Sequence, residues 1–555
     1  MESSPDTNTF TSINTETDGL VEEIQRSDWP DQLTQDDVDV FAASLDPNLG
    51  IGEDSISDQV LDDPSMMDFL MDDHVGAEGL AMFSPGFISQ VIEPRESDAD
   101  DEENLDLDPV TDIIPQPRDI PHNRTVIPEE AQYLLRHYRQ NISSRSTMQG
   151  KRKSPWEIIF LPCALETFAE LSLWNEASHT RSSIFHTLLA HSALQLHVSN
   201  GQSSFKWKEI GLRNHEKAHG HLRLALQHEM FGPRQASYKE LLMAILAMAM
   251  TSLHNGACAF RLFLLDAERL IRLRGLANQN PFKTRLLHHM YTHLRVIAES
   301  MSLCTETPSE STNRTFRITE EGLNMGLDPV QEKTDEIGYN DIHLQVQGRW
   351  NHTLYPVIYG IPESLMTLLS QTVSLSNEKA QLENVARCNP NVSEALTKHT
   401  KTLENRIWAW PLTLDTAEIP DHHDLATQPL IRSMTLAIHQ ALVIYFYRRV
   451  YDMNAMILQD MVRKTLDHLE PCLSELIDEQ DFATSLAWPA FVAGCEAVTP
   501  ELQERALVCL GVTDDKGVYF TPKPAKLVVS LIWDKRKTSG DWSASWQSLV
   551  VDGLE

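Results

Sequence analysis

Residues 258–276 read CAFRLFLLDAERLIRLRGL. Leu262, Leu264, Leu265, Leu270 and Leu273 are interleaved with Arg261, Arg269, Arg272 and Arg274. Apolar residues at threes and fours predict an amphipathic helix, and Gly275 is placed to cap its C-terminus. Asp266 and Glu268 stand one turn before the last arginines, so the helix can neutralise its own charge. Binding to DNA requires many cations free to meet phosphates. This stretch therefore reads as a salt-bridged helix of a bundle, one in position to line a pocket, with direct DNA binding as the weaker alternative.

Working outward, the same periodicity predicts helices over 156–174, 182–198, 207–229, 236–254 and 282–303. It resumes over 362–404, 427–449, 453–475, 482–509 and 522–537, ahead of a tail marked by Trp542 and Trp546. A first helical segment begins near Pro128. Residues 306–342 are polar and read as a loop or insert, and 408–424 as an irregular break. Strand-like alternation is scarce. The fold expectation is all-α: a multi-helix body over 128–550, preceded by a disordered acidic region over 1–127.

The charge distribution separates these two parts. Residues 1–110 hold 30 Asp or Glu against only Arg26 and Arg95, a net charge of −28 out of −34 for the chain. Such a segment cannot bury enough apolar surface to offset its repulsion. Within it Met66, Met67, Phe69, Leu70 and Met71 sit among aspartates. That acidic–hydrophobic alternation is the composition of an activation segment, its apolar residues kept available for a partner's groove. A solubilising or autoinhibitory tail is the other reading. Lys151, Arg152 and Lys153 form a short basic patch, a candidate nuclear import signal or solvated charge before a helix.

Chemistry is sparse. The seven cysteines are widely spaced, and their odd number without a secretory start points to a reducing compartment. The apolar run 241–250 is about half a membrane span and reads as a buried helix. No nucleotide-binding, zinc-protease or nucleophile-elbow motif occurs. The histidines of 421–424, the group His215, His219, His221 and His228, and the pair His288 and His289 each read better as loop or core residues than as metal ligands. No catalytic residue, cofactor or metal is expected, and no membrane partner.

A series of strings then carries a resemblance. Residues 258–276 are followed by 285–291 and by Arg295 to Ser300 with Glu299. Then come Tyr359-Gly360-Ile361-Pro362, the run 441–450 with Tyr445, Tyr447, Arg448 and Arg449, and Trp488-Pro489 through Gly494. Over roughly 128–550 the chain resembles the fungal-specific transcription factor regulatory domain, in the branch of arginine-metabolism and acriflavine-sensitivity regulators. The resemblance implies a nuclear, non-enzymatic regulator of RNA polymerase II genes, acting on a metabolic or secondary-metabolite pathway. It implies coactivator or transcription-machinery contacts through the acidic tail, and a possible dimer. Members usually carry an N-terminal six-cysteine zinc cluster. Here no cysteine precedes Cys163. Either that exon is missing from this sequence, or a DNA-binding partner reads DNA for a chain that makes no direct contact. A noncatalytic cytoplasmic scaffold and a helical enzyme of secondary metabolism are the alternatives.

The motif residues are expected to keep the fold. Tyr445 and Phe446 are expected to bury while Arg448 or Arg449 pairs with a helix acid; Gly494 admits a close helix; Pro362 suits the first turn of a helix whose N-terminus Glu363 favours.

Overall fold

Helices form where the apolar residues recur with helical period, and they stop where proline, asparagine or glycine intervenes. In a computed structural model of the protein the described residues are 127–142, 154–199, 205–232, 234–252, 257–275, 282–301, 317–318, 322–323, 354–410, 428–475, 483–515 and 524–550. All belong to the unit Leu80–Glu555. Among the described residues every regular element is a helix. The acidic region, its segment 66–71 and the basic patch 151–153 lie outside them.

The first seven helices are α1 (Ala131–His137), α2 (Leu161–Trp174), α3 (His179–Ser199), α4 (Phe205–His228), α5 (Tyr238–Ser252), α6 (Ala257–Leu270) and α7 (Phe282–Met301). A π-turn over Ile271–Gly275 continues α6. α5 is buried on every side through Leu241–Ala249. A helix without a polar face must be covered all round, and α3, α4, α6 and α7 cover it. Buried hydroxyls on α3 find carbonyls: Thr187 donates to Ser183 O at 2.7 Å, Ser183 to Ala218 O at 2.9 Å and Ser192 to Leu134 O at 2.8 Å. The free amides at the start of α3 are met by the buried Glu229. It accepts from His179 N at 2.7 Å and from Thr180 N at 3.0 Å.

The second group holds α8 (Tyr355–Tyr359), α9 (Glu363–Cys388), α10 (Pro390–Ala409), α11 (Gln428–Val450), α12 (Gln459–Glu475), α13 (Ala483–Glu496), α14 (Pro500–Asp515), α15 (Ala525–Ser539) and α16 (Trp546–Val550). α7 packs on α9 and so joins the two groups. By length and composition the stretch Pro429–Val450 could cross a membrane. Here it packs on α9, α10, α12 and α13 as a core helix.

Several expected boundaries shift, each for a local reason. The stretch 362–404 is two helices, because Asn389 precedes Pro390 and is pushed into an extended conformation (φ −130°, ψ 106°). Its side chain then caps the new helix by accepting from Asn391 N at 3.1 Å. The stretch 482–509 likewise divides, with α14 restarting at Pro500 behind Thr499. Trp408 and Ala409, expected in an irregular break, complete the last turn of α10. Pro362 sits one residue before its helix, as the N-cap of α9, while Glu363 occupies the first turn. Gly360 closes α8 with φ 62°, a left-handed conformation that costs glycine nothing.

Gly275 differs most from its expectation. It is not a left-handed cap but the buried end of the π-turn, with the Tyr238 ring laid over it. A Cβ there would lie 2.1 Å from Tyr238 Oη and 2.6 Å from its Cζ. That ring is held by a 2.7 Å contact between its hydroxyl and His288 Nε2. Gly275→Ala is therefore expected to cost about 1–3 kcal/mol by overpacking. Urea unfolding of the full chain reads this directly, and parental stability would show that the ring moves aside freely.

Candidate functional site

The most concentrated chemistry lies where α6, α7 and α9 meet. α6 places Asp266, Glu268 and Arg269 within its last two turns, and the π-turn carries Arg272 and Arg274 beyond them. Glu268 is 2% exposed. Arg272 donates to its Oε1 from Nε at 2.9 Å and from Nη2 at 2.7 Å. Arg317 donates from Nη2 to Oε1 at 2.9 Å and to Oε2 at 2.8 Å. The Tyr291 hydroxyl adds a third donor group at 2.7 Å.

Burial alone would raise the Glu268 pKa. The guanidinium of Arg317, then those of Arg272 and Arg295, overcome it and hold the carboxyl well below its ordinary range. For Tyr291 burial and the neighbouring carboxylate act together, and its hydroxyl stays protonated. Arg295, also buried, reaches Glu299 at 2.6 Å and Ser370 at 3.3 Å. Glu378 on α9 accepts from two consecutive amides, Arg317 N at 2.9 Å and Ile318 N at 2.7 Å. Two carboxylates from two helices, Glu268 on α6 and Glu378 on α9, thus pin one short stretch of the 306–342 insert into the core.

The other arginines of 258–276 stay local. Arg269 lies 3.6 Å from Asp266. Arg274 donates to Met230 O at 3.4 Å, and Arg261 is half-buried at the start of α6. The charges of this helix are mostly directed at its own acids and its neighbours.

A second buried node joins α11, α13, α15 and the segment that leads into α16. Glu496 and Arg536 are both 0% exposed. Arg448 Nε lies 2.9 Å from Glu496 Oε2, and Arg536 Nη1 lies 3.2 Å from the same oxygen. Arg536 also donates to Cys495 O at 2.6 Å and to Ala544 O at 2.8 Å, while Arg448 donates to Ala544 O at 2.9 Å. Arg449 faces Ser545 instead, at 3.4 Å. Around this node Tyr445 is buried against Ser376 at 3.0 Å, and Trp488 donates to Ser300 Oγ at 2.8 Å. Pro489 lies inside α13. Gly494 faces α14, where a Cβ would come 3.0 Å from Leu510 Cδ1. Tyr447 turns outward and donates to Glu404 at 2.7 Å.

His186, His288, His289 and His293 are core residues, His179, His215, His219 and His221 are half-buried, and His228 is exposed. His289 Nδ1–H donates to Arg285 O at 2.7 Å, and its Nε2 accepts from Leu354 N at 3.2 Å. That pair of bonds requires the neutral ring. His293 is stacked on Tyr359 with centroids 3.8 Å apart. On α3 and α4, His186 donates to Asn214 Oδ1 at 2.9 Å, and His179 and His221 meet through their Nδ1 atoms at 3.1 Å. His219 faces Phe263. Among the described residues no group of three His, Cys, Asp or Glu is arranged to hold a metal ion. Asp421 to Asp424 lie outside them. The nodes hold charge in fixed pairs; what they do chemically is to lock helices in register.

The sequence pointed to Glu268 and Arg272 through their four-residue spacing. It missed Arg317, Glu378 and Arg536. Each finds its partner 40 or more residues away, so no local period reveals it.

A family model described as the fungal specific transcription factor domain matches residues 133–553. Arginine metabolism regulation protein II of Saccharomyces cerevisiae is 24% identical over 566 aligned residues, covering 83% of this chain and 61% of that protein. The chain therefore spans less than two thirds of that relative's length. No solved structure matches it.

Proposed function

Because the chain belongs to the family of the fungal specific transcription factor domain, we propose that it regulates transcription of RNA polymerase II genes in the nucleus. The observation that carries this reading is the extent of the match, which takes in nearly the whole helical body. The similarity to a regulator of arginine metabolism favours metabolic genes as targets. In this reading the acidic residues 1–110 recruit coactivator or transcription machinery, their carboxylates keeping Phe69 and its apolar neighbours available. Lys151, Arg152 and Lys153 direct import. A DNA-binding partner supplies the contact to promoters, since the arginines of α6 and its π-turn are largely engaged within the body.

Genome-wide chromatin occupancy of the tagged protein, with and without residues 1–110, tests the proposal. Discrete promoter peaks are expected in both forms, with expression of the bound genes changing only when the acidic region is present. The motif beneath the peaks identifies the DNA reader. An abundant protein with no enrichment at any promoter would overturn the reading.

A further inference from the structure

Two helix termini bring together a cluster to which the family reading assigns no ligand. Glu404 and Trp408 are four residues apart on α10 and so share one face. Tyr447 on α11 and Tyr451 just beyond it form a second such pair. The Trp408 indole N–H donates to Tyr447 Oη at 2.8 Å. Tyr447 in turn donates to Glu404 Oε1 at 2.7 Å, and Tyr451 donates to Glu404 Oε2 at 2.8 Å. Every polar edge of the three rings is thus spent inside the cluster. The rings are fixed and their faces are left over.

Those faces reach solvent. Trp408 is 48% and Tyr451 40% exposed. Tyr447 and Tyr451 stack with centroids 5.7 Å apart, and Trp408 lies tilted 55° at 6.3 Å from Tyr447. The buried Phe446 backs both tyrosines edge-on at 5.5 Å. Exposed aromatics held rigid in this way have lost the conformational freedom that binding would otherwise remove.

The charge within the cluster is the Glu404 carboxylate; Lys401 stands one turn before it on α10 and forms no ion pair with it. The C-terminal end of α11 adds partial negative charge beside Tyr451. Its two last-turn arginines do not neutralise this face, since Arg448 turns inward to Glu496 and Arg449 faces Ser545. Lys379 is taken by Asp452 at 2.6 Å and by Glu383 at 3.7 Å. Arg406 turns to Gln371 at 3.1 Å. Among the described residues no lysine or arginine forms an ion pair with Glu404. Aromatic faces combined with an uncompensated carboxylate attract a weakly hydrated, delocalised cation more than a compact hydrated one.

We propose that Trp408, Tyr447, Tyr451 and Glu404 form a surface recognition site for an organic cation, a guanidinium or an N-methylated ammonium. The ring faces supply the quadrupole attraction and Glu404 the charge. The same chemistry can arrive on a protein side chain or as a free small molecule. Electrostatics separates the two, because a free amino acid brings a carboxylate that Glu404 repels.

The test uses the full chain, labelled with 15N, and follows the indole N–H resonance of Trp408, assigned with the Trp408→Phe variant. Probes are tetramethylammonium, Nα-acetyl-arginine amide, Nα-acetyl-trimethyllysine amide and free arginine. The neutral isostere 3,3-dimethylbutanol and potassium chloride at matched ionic strength serve as controls. Saturable shifts with the organic cations and none with the controls are expected. Glu404→Gln keeps the shape and one of the two acceptor oxygens and removes the charge, and is expected to weaken binding about tenfold. Capped probes binding more tightly than free arginine would assign a protein side chain as the ligand. Equal binding would assign a free small molecule. No shift at tens of millimolar probe, an equal response to the alcohol, or undiminished binding by a folded Glu404→Gln protein would each overturn the proposal.

Discussion

Glu268→Ala is expected to lower the free energy of unfolding by about 3–5 kcal/mol. The loss does not measure the worth of an ion pair. It arises because Arg272 and Arg317 remain in the core with no carboxylate between them, and the Tyr291 hydroxyl loses its acceptor. The same substitution releases the buried bonds of Glu268 to Arg317 that tie α6 to the 317–318 stretch. Two comparisons localise the cause. Glu268→Gln keeps the shape and an acceptor oxygen and should fall between alanine and the parent. Glu299→Ala removes a partner of Arg295 whose own carboxylate is partly solvated, and should cost less, about 1 kcal/mol. Urea midpoints at constant slope give all three values. An alanine variant within 1 kcal/mol of the parent would mean that water or rearrangement compensates the arginines.

Acidification is expected to unfold the body well before its exposed carboxylates titrate. Burial pushes His186, His221 and His289 down to about 4, and His288 and His293 down to about 3, from the ordinary 6.5. The folded state therefore holds these rings neutral through a range in which the unfolded chain protonates them. Their contribution is intact above about pH 6.5 and is lost as pH falls from there through 4. The limiting slope is about 1.4 kcal/mol per pH unit for each ring. His289 shows the structural reason: a proton on Nε2 would face the Leu354 amide that now donates to it. Thermal melts between pH 7.5 and 4.5 should show a plateau and then a steep decline. His293→Phe, which keeps a ring against Tyr359, should reduce that slope by one proton. A melting temperature constant from pH 7 to 5 would contradict the assignment of these rings as buried and neutral.

Both effects involve pairings of different legibility. The all-helical class was readable because burying one stripe of a helix imposes a period of 3.6 residues, and that period is written locally. Helix ends were readable only in part. Asn389 and Pro390 mark a break by their own backbone preferences, yet within a long stretch of helical periodicity such a signal is easily overrun. Gly275 fitted a capping rule, but the reason for a glycine there is the Tyr238 ring, which arrives from α5.

Legible in the residues alone were the helical class, the concentration of net negative charge in the first 110 residues, and the pairing of Glu268 with Arg272. Each of these depends on composition or on neighbours within one helical turn. The tertiary structure alone decided that Arg317 would share Glu268, that Arg536 would lie wholly buried against Glu496, and that Glu404 would gather two tyrosines from another helix. A charge enters a low-dielectric interior only where a partner already stands, and that partner is chosen by how helices pack rather than by distance along the chain.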